Sequence, residues 1–166
     1  TDGGWDDKSR GSKLVGCVAL RNKRNYRFWG EVTLENCLSA FAIKRGGSGG
    51  ADGLWASGKV VARRSTFHNN GTGIHVDDKG DVTLAQCILS RDSQYKGNLM
   101  SKEGTGVFAA QDTVQWEGDT ASDPKLVAPR SEWDGKGTAF DSAKWKTEKG
   151  YDSATAAKSI ALAAKP

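Results

Sequence analysis

The chain has 166 residues, a formal net charge of +4, 37% hydrophobic and 27% charged residues, 21 glycines and 3 prolines. That length fits one domain, and the composition suits a soluble, turn-rich all-β protein rather than a disordered one. The longest apolar runs are far too short to span a bilayer, so no membrane partner is expected.

The positive balance points to an acidic partner, either nucleic acid or an acidic polysaccharide. Trp29 and Trp55 amid arginine and lysine can stack bases, but no nucleic-acid motif is present and no such partner is expected. Three cysteines are an odd count, which excludes a complete disulfide framework. Their spacing matches no zinc pattern, so Cys17, Cys37 and Cys87 read as buried thiols acting as small apolar side chains.

In chain order, the opening stretch TDGGWDDK sets Asp2, Asp6 and Asp7 around a Gly-Gly-Trp turn. Carboxylates this close on a glycine-rich backbone can supply hard oxygen ligands for Ca²⁺; the plain alternative is a polar turn with its charges in water. Lys13 to Leu20 reads as a strand containing Cys17. The next stretch, RNKRNYRFWG, clusters Arg21, Lys23, Arg24 and Arg27, which reads either as a carboxylate-binding patch or as a solvated turn. Arg27 follows Asp6 by 21 residues, about one coil of a solenoid.

That coil is defined by an internal repeat. The segments GEVTLENCLS, GKVVARRSTF and GDVTLAQCIL align on Gly30, Gly58 and Gly80, then on Val32, Val60 and Val82, on Leu34, Ala62 and Leu84, and on Cys37, Ser65 and Cys87. The offsets are 28 and 22 residues. A β-rich repeat of this period, with too few apolar residues to bury a face by itself, predicts a solenoid of stacked coils. Matching residues should then rest on one another about 4.8 Å apart along the axis. The fold expected is a right-handed parallel β-helix in which Asp6 and Arg27 project side by side from one exposed face.

Between the first two copies, FAIKRGGSGGADGLWASG reads as a long glycine-rich turn from Phe41 to Gly58, with Lys44 and Arg45 at its base able to hold uronate carboxylates. Phe28, Leu54, Ile74 and Leu99 read as one inward column, with Trp29, Trp55, His75 and Met100 facing the other way. Outward tryptophans can stack the apolar face of a sugar ring, or they can lie beneath a loop. His68 and His75 flank an Asn-Asn-Gly turn and read as turn and strand residues, not as metal ligands.

The last coil is expected over Gly104 to Trp116, and an extended finish over Asp123 to Pro129. A short helix is expected over Asp152 to Ala164, with Ala157, Ile160, Ala161 and Ala164 on one face. The expected organisation is therefore coils and terminal extension over 1–129 and a tail packed on them over 130–166. The first coil already reads as mid-repeat, so an upstream segment or chain is expected to complete the helix.

TDGGWDD followed one coil later by NYRFWG resembles the family 9 polysaccharide lyases, parallel β-helix pectate lyases, and secreted β-helix proteins related to them. The motif resemblance covers residues 1–30, and the coil pattern continues to about residue 115. In that family a DDGWDL-type motif supplies calcium ligands, and an NGFKLGG-type motif one coil on supplies the lysine that acts as base. The resemblance implies Asp2 and Asp6 as calcium ligands and Arg27 at the base position. Gly3 stands where the family has a second aspartate, Asp7 where it has an apolar residue, and Arg27 where it has lysine.

The implied chemistry is β-elimination. A base removes the C5 proton of a uronosyl unit while a cation neutralises the adjacent carboxylate. The expected function is thus a secreted or periplasmic lyase acting on a uronate polysaccharide such as pectate. Arg27 would be catalytic, Ca²⁺ would sit at Asp2, Asp6 and Asp7, and Arg24, Lys44, Arg45, Trp29 and Trp55 would hold substrate. The alternative is a non-catalytic β-helix, an adhesin, carbohydrate-binding or tailspike-like module, in which the same residues only bind.

Overall fold

The computed structural model describes residues 3–91 and 96–117. These residues contain fifteen strands and no helix, arranged as five coils of three strands. The first coil holds β1 (Gly3–Asp7), β2 (Ser12–Val15) and β3 (Val18–Leu20). The second holds β4 (Arg24–Phe28), β5 (Val32–Glu35) and β6 (Leu38–Ala40). The third holds β7 (Asp52–Ala56), β8 (Lys59–Arg63) and β9 (Thr66–His68). The fourth holds β10 (Thr72–Val76), β11 (Asp81–Ala85) and β12 (Ile88–Ser90), and the fifth β13 (Asn98–Lys102), β14 (Val107–Gln111) and β15 (Val114–Trp116).

Each strand pairs in parallel with its equivalents one coil before and after. The result is three five-stranded sheets, β1-β4-β7-β10-β13, β2-β5-β8-β11-β14 and β3-β6-β9-β12-β15. The fold is a parallel β-helix. The expected extended finish over 123–129 and helix over 152–164 lie outside the described residues.

The repeat sets the register of the second sheet. Val32, Val60 and Val82 are rung partners, as are Leu34, Ala62 and Leu84, and Leu14 and Phe108 extend these two columns at either end. All six central residues are buried. A fully buried leucine or valine side chain contributes about 1.5–3 kcal/mol by leaving water, so the columns hold the coils together although no coil has a core of its own.

Between the second and third sheets every coil turns on two residues, and the first of them is left-handed: Gly16 (φ 62°), Asn36 (50°), Arg64 (47°), Gln86 (56°) and Asp112 (46°). The amides of Gly16, Asn36, Arg64 and Gln86 still donate to the next coil, to the carbonyls of Glu35, Arg63, Ala85 and Gln111 at 2.9–3.0 Å, so the ladder runs unbroken through the bend. The second corner residue is Cys17, Cys37, Ser65, Cys87 or Thr113. Cys37 and Cys87 are buried, as the ladder predicts, whereas Cys17 in the first coil is only half-buried; all three thiols are free. The Ser65 hydroxyl accepts the Cys37 amide at 3.0 Å, and Thr113 accepts that of Cys87 at 3.3 Å.

In the first sheet the apolar register differs from that expected. Leu54 and Ile74 are partners, but the residue beside Leu54 on β4 is Tyr26, not Phe28, and the partner of Ile74 on β13 is Met100, not Leu99. Phe28 instead starts a second column with Ala56 and Val76. Both Tyr26 and Phe28 are fully buried, so a strand carrying two inward aromatics offers two plausible alignments and the apolar pattern alone does not choose between them.

The stretch from Phe41 to Gly58 is also not all turn, since Asp52–Ala56 is strand β7. Inside the coils, Asn25 and Asn70 bridge the corner before this sheet. Asn25 Nδ2 donates to the Ala40 carbonyl at 2.9 Å and to Asn70 Oδ1 at 3.2 Å, and Asn70 Oδ1 takes the Ala42 amide at 2.9 Å. These buried amides are thereby satisfied, as buried polar groups must be.

Candidate functional site

The outer face of the first sheet carries a row in which Asp6, Arg27, Trp55, His75 and Ser101 are successive rung partners. Beside it runs a second row, Gly3, Arg24, Asp52, Thr72 and Asn98. Side chains from the two rows interlock into a polar and aromatic seam along the helix axis.

At one end the Arg27 guanidinium donates through Nη1 to Asp6 Oδ2 at 3.2 Å, and Trp29 Nε1 donates to Asp6 Oδ1, also at 3.2 Å. Both oxygens of Asp6 are thus engaged. Arg27 Cζ lies 4.7 Å from the Trp29 ring centroid and 5.4 Å from that of Trp55, and Arg24 Cζ lies 5.5 Å from that of Trp55. Such cation–π contacts contribute about 0.5–2 kcal/mol each, depending on desolvation. The two indoles meet edge to face with centroids 4.6 Å apart, and Lys8 Nζ stands 5.8 Å over Trp29.

At the other end Arg24 Nε donates to Asp52 Oδ2 at 3.2 Å. Asp52 is fully buried, and its Oδ1 makes no hydrogen bond but lies 3.4 Å from His75 Nδ1. His75 Nε2 is 3.0 Å from Glu103 Oε1. Held between two carboxylates, of which Asp52 is the stronger influence, the imidazole has its pKa raised above the ordinary histidine value, against the opposing effect of its own burial.

Of the residues singled out in the sequence, Asp6, Arg24, Arg27, Trp29 and Trp55 are brought together in this seam. Trp55 is not an open platform: it is 6% exposed, roofed by Arg24, Arg27 and Trp29, while Trp29 is 40% exposed. Lys44 and Arg45 lie on the exposed part of the loop over 41–51, Arg45 donates to the Arg21 carbonyl at 3.0 Å, and among the described residues no hydrogen bond or ion pair joins either to the seam.

The carboxylates of Asp6 and Asp7 are not brought together. Asp6 shares its rung with outward Arg27, and Asp7 shares its rung with buried Phe28, so successive residues of β1 leave on opposite faces. Asp7 accepts from the Ser9 amide at 2.7 Å and from the Ser9 hydroxyl. Its hydrogen bonds with Ser12 first and Ser9 second lower its pKa. Asp2 lies outside the described residues.

Sequence reasoning placed His75 beside Trp55 but missed its partners. The signal was faint: Asp52 stands 28 residues after Arg24 and His75 stands 23 after Asp52, offsets that become neighbouring rungs only when each coil's length is known. No protein-family model, curated protein or solved structure matches this chain.

Proposed function

We propose that the outer face of the first sheet binds an acidic, uronate-containing polysaccharide, in a secreted or periplasmic setting. The observation that carries this reading is the seam itself: Lys8, Arg24 and Arg27 are interleaved with indoles over consecutive coils, and Trp29 is 40% exposed beside them. Cations hold carboxylates, and an exposed indole stacks a pyranose. A chain laid along the helix axis would cross Lys8, Arg24, Arg27 and the indoles of Trp29 and Trp55 over the first three coils.

Binding without cleavage is the outcome the geometry favours. Arginine keeps its charge throughout the physiological range, and Arg27 is ion-paired with Asp6 on one side and covered by two indoles, which suits a carboxylate clamp better than a base. Cleavage by β-elimination with Arg27 as base and a Ca²⁺ ion beside Asp6 is the second reading, supported by the acidic residue and the arginine standing on adjoining rungs.

The test is affinity electrophoresis and calorimetry against polygalacturonate, alginate and a neutral glucan, with and without Ca²⁺, alongside the ultraviolet absorbance of unsaturated products. Binding to the uronate polymers alone, weakened about tenfold or more by Trp29→Ala, with no absorbance change, is the expected result. Absorbance growth that requires Ca²⁺ and Arg27 would establish the lyase reading, and equal behaviour towards the neutral glucan would sink both.

A further inference from the structure

We propose that His75, Asp77 and Glu103 form a binding site for a divalent transition-metal ion of the Zn²⁺ class. The site lies where β10 and β13 end and the chain turns towards the second sheet. Asp77 and Glu103 open equivalent turns on neighbouring coils. The Gly80 amide donates to the Asp77 carbonyl at 2.9 Å, the Gly106 amide to the Glu103 carbonyl at 3.0 Å, and the Glu103 amide to the Val76 carbonyl at 2.9 Å. This stacking sets two carboxylates one above the other, next to the imidazole of His75.

One potential ligand atom from each of the three residues lies within 4.8 Å of the other two. Zinc takes nitrogen and oxygen ligands at about 2.0–2.2 Å, so neighbouring ligands of a tetrahedral ion stand roughly 3.2–3.6 Å apart. The trio needs only small side-chain rotations to reach that spacing. Like charges directly opposite on neighbouring strands are unfavourable, and a cation between Asp77 and Glu103 removes that repulsion.

A separate observation points to the same ion. Asp52 is fully buried, and its Oδ1, without a hydrogen bond, is aimed at His75 Nδ1 from 3.4 Å. Arg24 fixes the other oxygen. A carboxylate behind the imidazole is the usual outer partner of a metal-bound histidine: it keeps the proton on Nδ1 and turns the Nε2 lone pair outward. Here Nε2 is 3.0 Å from Glu103 Oε1.

The donor set also selects the metal. An imidazole with two carboxylates suits zinc and its neighbours better than Ca²⁺, which takes oxygen ligands in larger number. Three protein ligands leave a position for water or a ligand oxygen, and Glu103, 59% exposed at its side chain, marks the open side. This site is distinct from the aspartates of the first coil and stands whether or not the face binds a glycan.

The experiment is calorimetric titration of chelator-treated protein with Zn²⁺, repeated with Ca²⁺, and the visible spectrum on adding Co²⁺. A single equivalent of Zn²⁺ that excess Ca²⁺ does not displace, with a tetrahedral Co²⁺ spectrum, is expected. His75→Gln and Glu103→Gln should each weaken Zn²⁺ binding by at least about tenfold; Glu103 is exposed, so its variant tests the site without threatening the fold. Unchanged binding in both variants, no binding by the wild-type protein, or displacement by Ca²⁺ overturns the proposal.

Discussion

Asp6 and Arg27 are rung partners on β1 and β4, with the carboxylate of one 3.2 Å from the guanidinium of the other on the outer wall of the helix. Asp6 also takes the Trp29 indole proton, so a single carboxylate fixes both the cation and the exposed ring of the seam. It therefore competes with any acidic ligand for Arg27.

That competition gives the first prediction. Asp6→Asn should lower stability by no more than about 1 kcal/mol, because the pair is partly exposed and solvent-screened, while its affinity for polygalacturonate rises severalfold. Urea denaturation and affinity electrophoresis measure the two effects. A fall in affinity accompanied by loss of calcium dependence would instead assign Asp6 to a cation site.

Gly58 should not tolerate a side chain. A Cβ there would stand 2.2 Å from the Gly30 carbonyl oxygen of the coil before, and one on Gly80 would stand 2.3 Å from the Ala56 carbonyl. The glycine that opens each repeat is required by close approach of backbones. Gly58→Ala is expected to destabilise by about 1–3 kcal/mol through overpacking, seen as a lowered urea midpoint with an unchanged slope.

The Cys87 thiol has its pKa pushed up by burial from 9.0 to about 11. Between those values the unfolded chain has released the proton while the folded chain keeps it, so the folded state binds more protons and stability falls as pH rises through this window. The difference amounts to roughly 2 kcal/mol by pH 11. Denaturation curves from pH 8 upward should lose this slope in Cys87→Ala, and alkylation of the native protein at neutral pH should spare Cys87 relative to the half-buried Cys17.

His75 titrates in the same sense for stability, at lower pH. Its folded pKa is raised above 6.5, first by the close approach of the Asp52 carboxylate to Nδ1 and then by the charges of Asp52 and Glu103. The stabilisation is fully present below the ordinary histidine value and disappears as pH rises through the raised one. In metal-free buffer, the ring resonances should report a midpoint above that of a free histidine, and Glu103→Gln should move it down. An ordinary midpoint in the wild-type protein would contradict the arrangement around Nδ1 and Nε2.

The second sheet was legible because its strands alternate strictly and enter a corner of constant length, so Val60 lies beside Val32 in space as in the alignment. The Asp6–Arg27 neighbours were legible for a similar reason, their spacing being one coil with no long loop inside it. The first sheet was harder. Tyr26 and Phe28 both point inward, so the alignment slipped by two residues at Leu54 and moved Trp29 into the place of Arg27. The links from Arg24 through Asp52 to His75 were hidden for another reason: the first crosses the loop over 41–51, and a polar contact has no periodicity to betray it.

The left-handed residue at each bend between the second and third sheets has an evolutionary corollary. This bend is two residues long in all five coils, whereas the linkers after the third sheet vary from three residues at 21–23 to eleven at 41–51. Length can therefore drift at one seam of the cylinder while the angle of the opposite bend stays locked. New loops grafted over 41–51 would re-dress the edge of the first sheet's outer wall and leave the stack in phase, whereas one residue added at 64–65 would throw every later turn out of step.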